Sequence, residues 1–186
     1  MYKKEEFELD EDRQIVEDVL SGNTRRYAEI VKKYQQIVAN LTYKLCGNKL
    51  DVEEVTQQVF VELYSALPRF QFNSKLSSFI YRITVNIVCK SLTKAQRFIS
   101  AENIVNTKEY QSGDRNAQQQ IIHNEQIDQL RLAIGRLKTE QRTALVLYTY
   151  EDFSYNDIAE VMQCSLSKVE SLIFRAKKNL AKEIKQ

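Results

Sequence analysis

The sequence predicts an all-α protein: two small helical domains joined by a flexible linker, the C-terminal one a helix-turn-helix. Three observations predict it. Only 4 Gly and 1 Pro occur in 186 residues, too few turn formers for a strand-rich fold. Glu, Lys, Gln, Leu, Ile and Ala are abundant, a composition that points to helices. Apolar residues recur at helical spacing along most of the chain and lose that spacing once, between Ala101 and Gln120.

Residues 11 to 47 read as two helices. Ile15, Val19 and Leu20 form the first apolar stripe, and "SGNT" breaks it. Tyr27, Ile30, Val31, Tyr34, Val38, Leu41 and Leu45 continue a second stripe as far as Gly47. A third helix runs from about Val52 to Leu67, with Val55, Val59, Phe60, Leu63 and Tyr64 on one face, Asp51 as N-cap and Pro68 as stop. "RFQFNSKLS" is a loop, and a fourth helix covers about Ser77 to Ala95. The first domain is therefore placed at 1–100.

The stretch "NTKEYQSGDRNAQQQ" reads as linker, placed at 101–124. Periodicity returns at Ile121 and runs through Leu137, and "KTEQR" opens a further helix with Thr139 as expected N-cap. The second domain is placed at 125–186.

Composition excludes several classes of function. Cys46, Cys89 and Cys164 are widely separated with no CxxC pair, so they read as reduced small hydrophobes. His123 is the only histidine, which leaves no material for a metal site or a histidine-based triad. No phosphate-cradling glycine loop is present. No catalytic residue, metal or cofactor is expected. No apolar run approaches the roughly 18 residues that would indicate a membrane span. The charged start "MYKKEEFELDEDR" is unlike a signal peptide, so membrane insertion is not expected and a cytoplasmic location is.

The net charge is only +2, but its distribution is uneven. Residues 5–18 are acid-rich, whereas no acid occurs from Arg69 to Ser100, a stretch holding Arg69, Lys75, Arg82, Lys90, Lys94 and Arg97. The chain is basic again from Lys177. Two separated basic patches suit two contacts with one polyanion.

The most informative stretch is "SYNDIAEVMQCSLSKVESLIFRAKKNL". Ser154 begins a short helix whose Ile158, Ala159 and Met162 turn inward, "QCS" makes the turn, and Ser165 caps a second helix. Val169, Leu172 or Ile173, and Ala176 bury that second helix, leaving Ser165, Ser167, Lys168, Ser171 and Arg175 on its polar face, with Lys178 placed for backbone contact. This is helix-turn-helix geometry, in which the second helix reads base edges.

The stretch from Leu137 to Leu180, with Gln141, Arg142, "SYNDIAEVM" and "SLSKVESLIFRAKKNL", resembles the fourth conserved region of bacterial RNA polymerase sigma factors of the sigma-70 family, particularly the extracytoplasmic-function (ECF) group. "DVEEVTQQVFVELYSALPRFQFNSKLSSFIYRITVNIVCKSLTK" is similar to the second conserved region of the same group. The resemblance implies that Glu54, Gln57 and Phe60 dock on core RNA polymerase. It implies that Phe72, Asn73, Lys75, Phe79, Arg82 and Asn86 meet melted minus-ten DNA. Ser165, Ser167, Lys168, Glu170, Ser171, Phe174, Arg175 and Lys178 would face the minus-thirty-five element. Core polymerase, promoter DNA and an anti-sigma factor are the implied partners. In three places the stretch departs from the group's pattern: Gln163 replaces the turn glycine, and Glu170 and Leu172 stand where basic residues are usual.

Two other readings stay open at this level: a helix-turn-helix regulator of duplex DNA that works without polymerase, and a sigma-like chain that has lost promoter reading. Glu170 and Leu172 are the residues that keep the second of these alive. No cation lies three or four residues downstream of Glu170, so the reading favoured here is that its carboxylate accepts from cytosine N4.

Overall fold

The computed structural model describes residues 2–102, 129–130 and 132–183, with side chains described for 11–47, 49–96, 129–130 and 132–183. The expected linker and the start of the second domain lie largely outside the described residues, as does His123. Among the described residues there is no strand. The helices are α1 (Tyr2–Leu20), α2 (Tyr27–Cys46), α3 (Val52–Ala66), α4 (Leu76–Glu102), α5 (Thr139–Tyr150), α6 (Tyr155–Met162) and α7 (Leu166–Glu183). Three single 3₁₀ turns join the first four.

Two helices are longer than their apolar stripes predict. α1 begins at Tyr2 rather than near residue 11, and α4 continues past Ser100 to Glu102, across the expected domain limit. Periodicity marks where a helix is buried, not where its backbone ends. The cap expectations fare unevenly. Asp51 accepts from the amides of Glu53 (2.9 Å) and Glu54 (3.0 Å) and so caps α3, which is worth about 1 kcal/mol. Ser154 and Asp157 form a reciprocal capping box on α6, and Ser165 accepts from the Lys168 amide at 3.2 Å. Thr139 does not cap α5. It is the first helical residue, and Lys138 holds the N-cap position without a side-chain bond.

α2, α3 and α4 pack on one another around Ile30, Leu41, Val59, Leu63, Ile80 and Val88. The α1 stripe enters this core through Ile15, Val16 and Val19, while Leu20 remains exposed. At the other end, α5, α6 and α7 pack around Leu147, Ile158, Val169 and Ile173. Each such fully buried side chain contributes about 1.5–3 kcal/mol.

The two helical groups also pack against each other. α6 lies on α4, α5 lies on α2, and one continuous core runs through both groups. α5 shows the consequence. Seven consecutive residues, Gln141 to Leu147, are buried, which is two full turns and therefore every face of the helix. Of its polar start, Thr143 lies against Cys89 of α4, while Gln141 accepts from Asn179 of α7 and Arg142 donates to the Gly135 carbonyl.

Candidate nucleic-acid interface

α7 divides cleanly into two faces. Val169, Leu172, Ile173 and Ala176 are buried at i, i+3, i+4 and i+7 against α5 and α6. Ser165, just ahead of the helix, and Ser167, Lys168, Glu170, Phe174, Arg175 and Lys178 are exposed, with Ser171 half-buried at the edge. All the candidate minus-thirty-five residues therefore share one accessible surface. Leu172 does not belong to it. Its burial makes it a core residue, which explains why an apolar side chain stands where a basic one is usual.

Phe174 is 68% exposed, a large ring left in water beside Arg175. Glu170 makes no side-chain hydrogen bond or ion pair with any described residue. Lys168 does: its Nζ lies 2.7 Å from Glu140 Oε1, and that hydrogen bond raises the ammonium's pKa. The turn before α7 holds Gln163 at φ 51°, ψ 48°, the left-handed conformation a glycine adopts at no steric cost. Gln163 takes it in the glycine's place, at about 1 kcal/mol.

The second candidate surface surrounds the α3–α4 loop and the first half of α4. Three rings and two guanidiniums form a ladder there. Arg82 lies over the Phe79 ring at 5.0 Å, Phe79 meets Phe70 at 5.0 Å, and Phe70 meets Phe72 at 4.9 Å. Arg13 of α1 lies over Phe72 at 5.0 Å. The ladder buries Phe79 and Phe70 and half-buries Phe72, which takes a positive φ of 57° at the loop's tip. Asn73, Lys75 and Asn86 are exposed around it. Of the expected minus-ten residues, Phe79 is thus a packing ring, and Asn73, Lys75, Arg82 and Asn86 supply the accessible polar edge. Arg13, distant in sequence, could not be found from motif spacing.

On α3, Glu54 and Gln57 are exposed and share an outward stripe with Val61 and Tyr64. Phe60 does not join them. It is 7% exposed, and its carbonyl accepts from Tyr27 Oη at 2.5 Å, so the expected apolar anchor faces the core. Val61, 69% exposed, is the apolar side chain that does face outward. The signal was available: with Val59, Phe60 and Leu63 inside, helical geometry puts residue 61 outside.

The two groups meet at a seam that no motif marks. Glu151, in the turn after α5, accepts from Lys44 Nζ of α2 at 2.7 Å and from Tyr81 Oη of α4 at 2.6 Å. Burial, followed by this bond to Glu151, pushes the Tyr81 phenol well above its ordinary pKa. Phe153 packs on Tyr81 with ring centroids 4.8 Å apart, and Lys44 Nζ lies 5.2 Å from the centre of the Tyr150 ring. Arg142, 4% exposed, donates to the Gly135 carbonyl at 3.1 Å, while its Nε meets no acceptor among the described residues. Burial lowers its pKa.

Among the described residues, no helix is long and apolar enough to cross a membrane, and no cluster of three or more His, Cys, Asp or Glu could hold a metal ion.

The two surfaces fall in the two segments that match known families. Residues 30–98 match sigma-70 region 2, and residues 127–180 match sigma-70 region 4. The chain is 30% identical to the RNA polymerase sigma-H factor of Pseudomonas aeruginosa, over 182 residues covering 94% of both proteins. It is 29% identical to the ECF RNA polymerase sigma-E factor of Haemophilus influenzae, covering 93% of this chain and 95% of that one. The fold is also that of two solved complexes. Bartonella quintana RpoE bound to the anti-sigma factor NepR has a TM-score of 0.66 at 17% identity, covering 86% of this chain and 96% of that one. CnrH bound to the cytosolic domain of CnrY has a TM-score of 0.66 at 22% identity, covering 94% and 97%. With both conserved regions matched in order and more than nine-tenths of the chain aligned with whole relatives, the chain belongs to the sigma-70 family of RNA polymerase sigma factors, in its ECF group.

Proposed function

We propose that this sigma factor reads the minus-thirty-five element with the outer face of α7 and assists minus-ten melting with the α3–α4 loop and the start of α4. The observation that carries the reading is the division of α7. Its inner stripe is buried, and Ser167, Lys168, Arg175 and Lys178, all able to bond bases or phosphates, are left outside. Arg175 is suited to a bidentate bond with guanine, Lys178 to a phosphate, and unpaired Glu170 to cytosine N4. At the other surface, the exposed Asn73 and Asn86 amides and the Arg82 guanidinium sit beside a loop held rigid by stacked rings, suited to an unstacked base. Core polymerase docks on the Glu54–Gln57 stripe of α3, with Val61 rather than Phe60 as apolar contact. The protein is a transcription initiation factor and leaves polymerisation to the core enzyme. It works in the cytoplasm, where an anti-sigma factor binds it, as NepR binds the Bartonella quintana sigma factor RpoE.

The test is selection of randomised promoters by holoenzyme assembled from core polymerase and this chain. Recovery of two separated sequence preferences, the upstream one altered by Arg175→Ala, is expected. Recovery of one preference only, unaffected by that change, would contradict the reading.

A further inference from the structure

Glu151 does something no promoter contact requires. A carboxylate whose side chain is only 12% exposed is turned away from its own helices and held by two donors from the other half of the molecule. A surface carboxylate gains little from such pairing, because water competes for it. A nearly dry one with two charge-assisted bonds gains more, and it loses both bonds together if the halves separate. The turn carrying it is shaped for this task. Asp152 takes a positive φ of 51°, the Phe153 amide donates back to the Leu147 carbonyl at 3.2 Å, and Glu151 and Phe153 both bear on Tyr81.

The receiving surface is equally specific. Lys44 offers a cation, Tyr81 a hydroxyl and a ring face, and Cys89 lies alongside with its sulfur 3.9 Å from Thr143 Oγ1. Tyr81 is 9% exposed, and Phe153 and Glu151 of the second group supply part of that cover. We propose that the α2–α4 face around Lys44 and Tyr81 is a docking site for the acid-and-aromatic segment Glu151–Phe153 of the same chain. In the free protein this contact clasps the two promoter-reading units together.

The consequence for initiation rests on the promoter reading above; the clasp itself does not. Neither reading face is covered by the seam, since α7's outer residues and Asn73, Lys75 and Asn86 are exposed in the clasped form. What the clasp fixes is their separation. A compact chain of this length is roughly 40 Å across. Elements centred near minus-ten and minus-thirty-five lie roughly 80 Å apart along the duplex. The clasped form therefore holds one element at a time, and the seam must part before both are engaged. Arg142 favours parting: the clasped form buries a guanidinium whose Nε finds no acceptor among the described residues, the kind of group that is costly to keep dry.

The cysteines report the opening without added labels. Cys89 lies in the seam, whereas Cys164 lies in the α6–α7 turn of the second unit and serves as internal control. The experiment measures N-ethylmaleimide alkylation of each cysteine, by mass spectrometry, in the full chain without polymerase. Glu151→Gln is expected to speed alkylation of Cys89 about tenfold or more while leaving Cys164 unchanged. An unchanged Cys89 rate would overturn the proposal. If all three cysteines accelerate together, the variant has unfolded, and Tyr81→Phe decides. That change keeps the ring and removes only the bond to Glu151. A selective rise at Cys89 of about threefold or more supports the clasp, and none refutes it. Because no polymerase or DNA is present, failure here leaves the promoter reading standing, and failure of promoter selection leaves the clasp standing.

Discussion

The outer face of α7 and the seam around α5 are built from similar residues put to opposite uses. On α7, Lys168, Glu170 and Arg175 stay in water, and every apolar residue of the inner stripe is buried. On α5, Gln141, Arg142 and Thr143 are buried although nothing in their chemistry asks for it. The first surface is organised by its own helix, with a period of 3.6 and one apolar stripe. The second is organised by residues distant in sequence, Cys89 of α4 beside Thr143 and Asn179 of α7 beside Gln141. Local pattern predicts the first kind of surface well and is blind to the second.

The comparison is broken most forcefully on α3, where inside and outside alternate residue by residue. Phe60→Ala empties a buried site, and the expected loss is about 3–5 kcal/mol of stability, measured by urea unfolding. Gln57→Ala, three residues earlier and exposed, is expected to change stability by less than about 0.5 kcal/mol and yet weaken co-purification with core polymerase. Equal stability losses for the two would erase the distinction between the faces.

The next effect is on α7 itself. Arg175→Ala is expected to lower minus-thirty-five affinity of the holoenzyme by roughly 5- to 150-fold, the range of one bidentate base contact, with the melting temperature unchanged. Glu170→Gln should be subtler. It keeps the shape and removes the charge, so base preference is expected to relax at a single minus-thirty-five position, by about 1 kcal/mol of discrimination. An identical preference profile in a randomised-promoter selection would dismiss cytosine reading. The smallest expected effect lies at the turn that presents α7. Gln163→Gly relieves the left-handed backbone and is expected to stabilise the protein by up to about 1 kcal/mol, partly offset by the greater freedom of the unfolded glycine chain.

Much of this molecule was legible before folding. Asp51, Ser154 and Ser165 could be read as caps because capping depends on neighbours two or three residues away. The buried stripe of α7 was readable for the same reason. Leu172 was misleading, because comparison with a pattern of basic residues suggested a lost DNA contact where the structure has a core side chain. Phe60 carried two readings, a place on the apolar face of α3 and, by resemblance, a polymerase contact; residues 54, 57 and 60 share only a broad arc, and the last of them turns inside. Arg13 on Phe72 and Glu151 on Lys44 and Tyr81 join residues 59, 107 and 70 positions apart, and no local signal connects such pairs.

The central claim is that this chain is a working sigma factor whose α3 surface engages polymerase, and gel filtration with bacterial core RNA polymerase tests it most directly. The expected result is stoichiometric co-elution, diminished by Gln57→Ala combined with Val61→Ala in protein that melts like the parent. Separate elution of well-folded protein would contradict the account and return Glu54, Gln57 and Val61 to the status of ordinary surface residues.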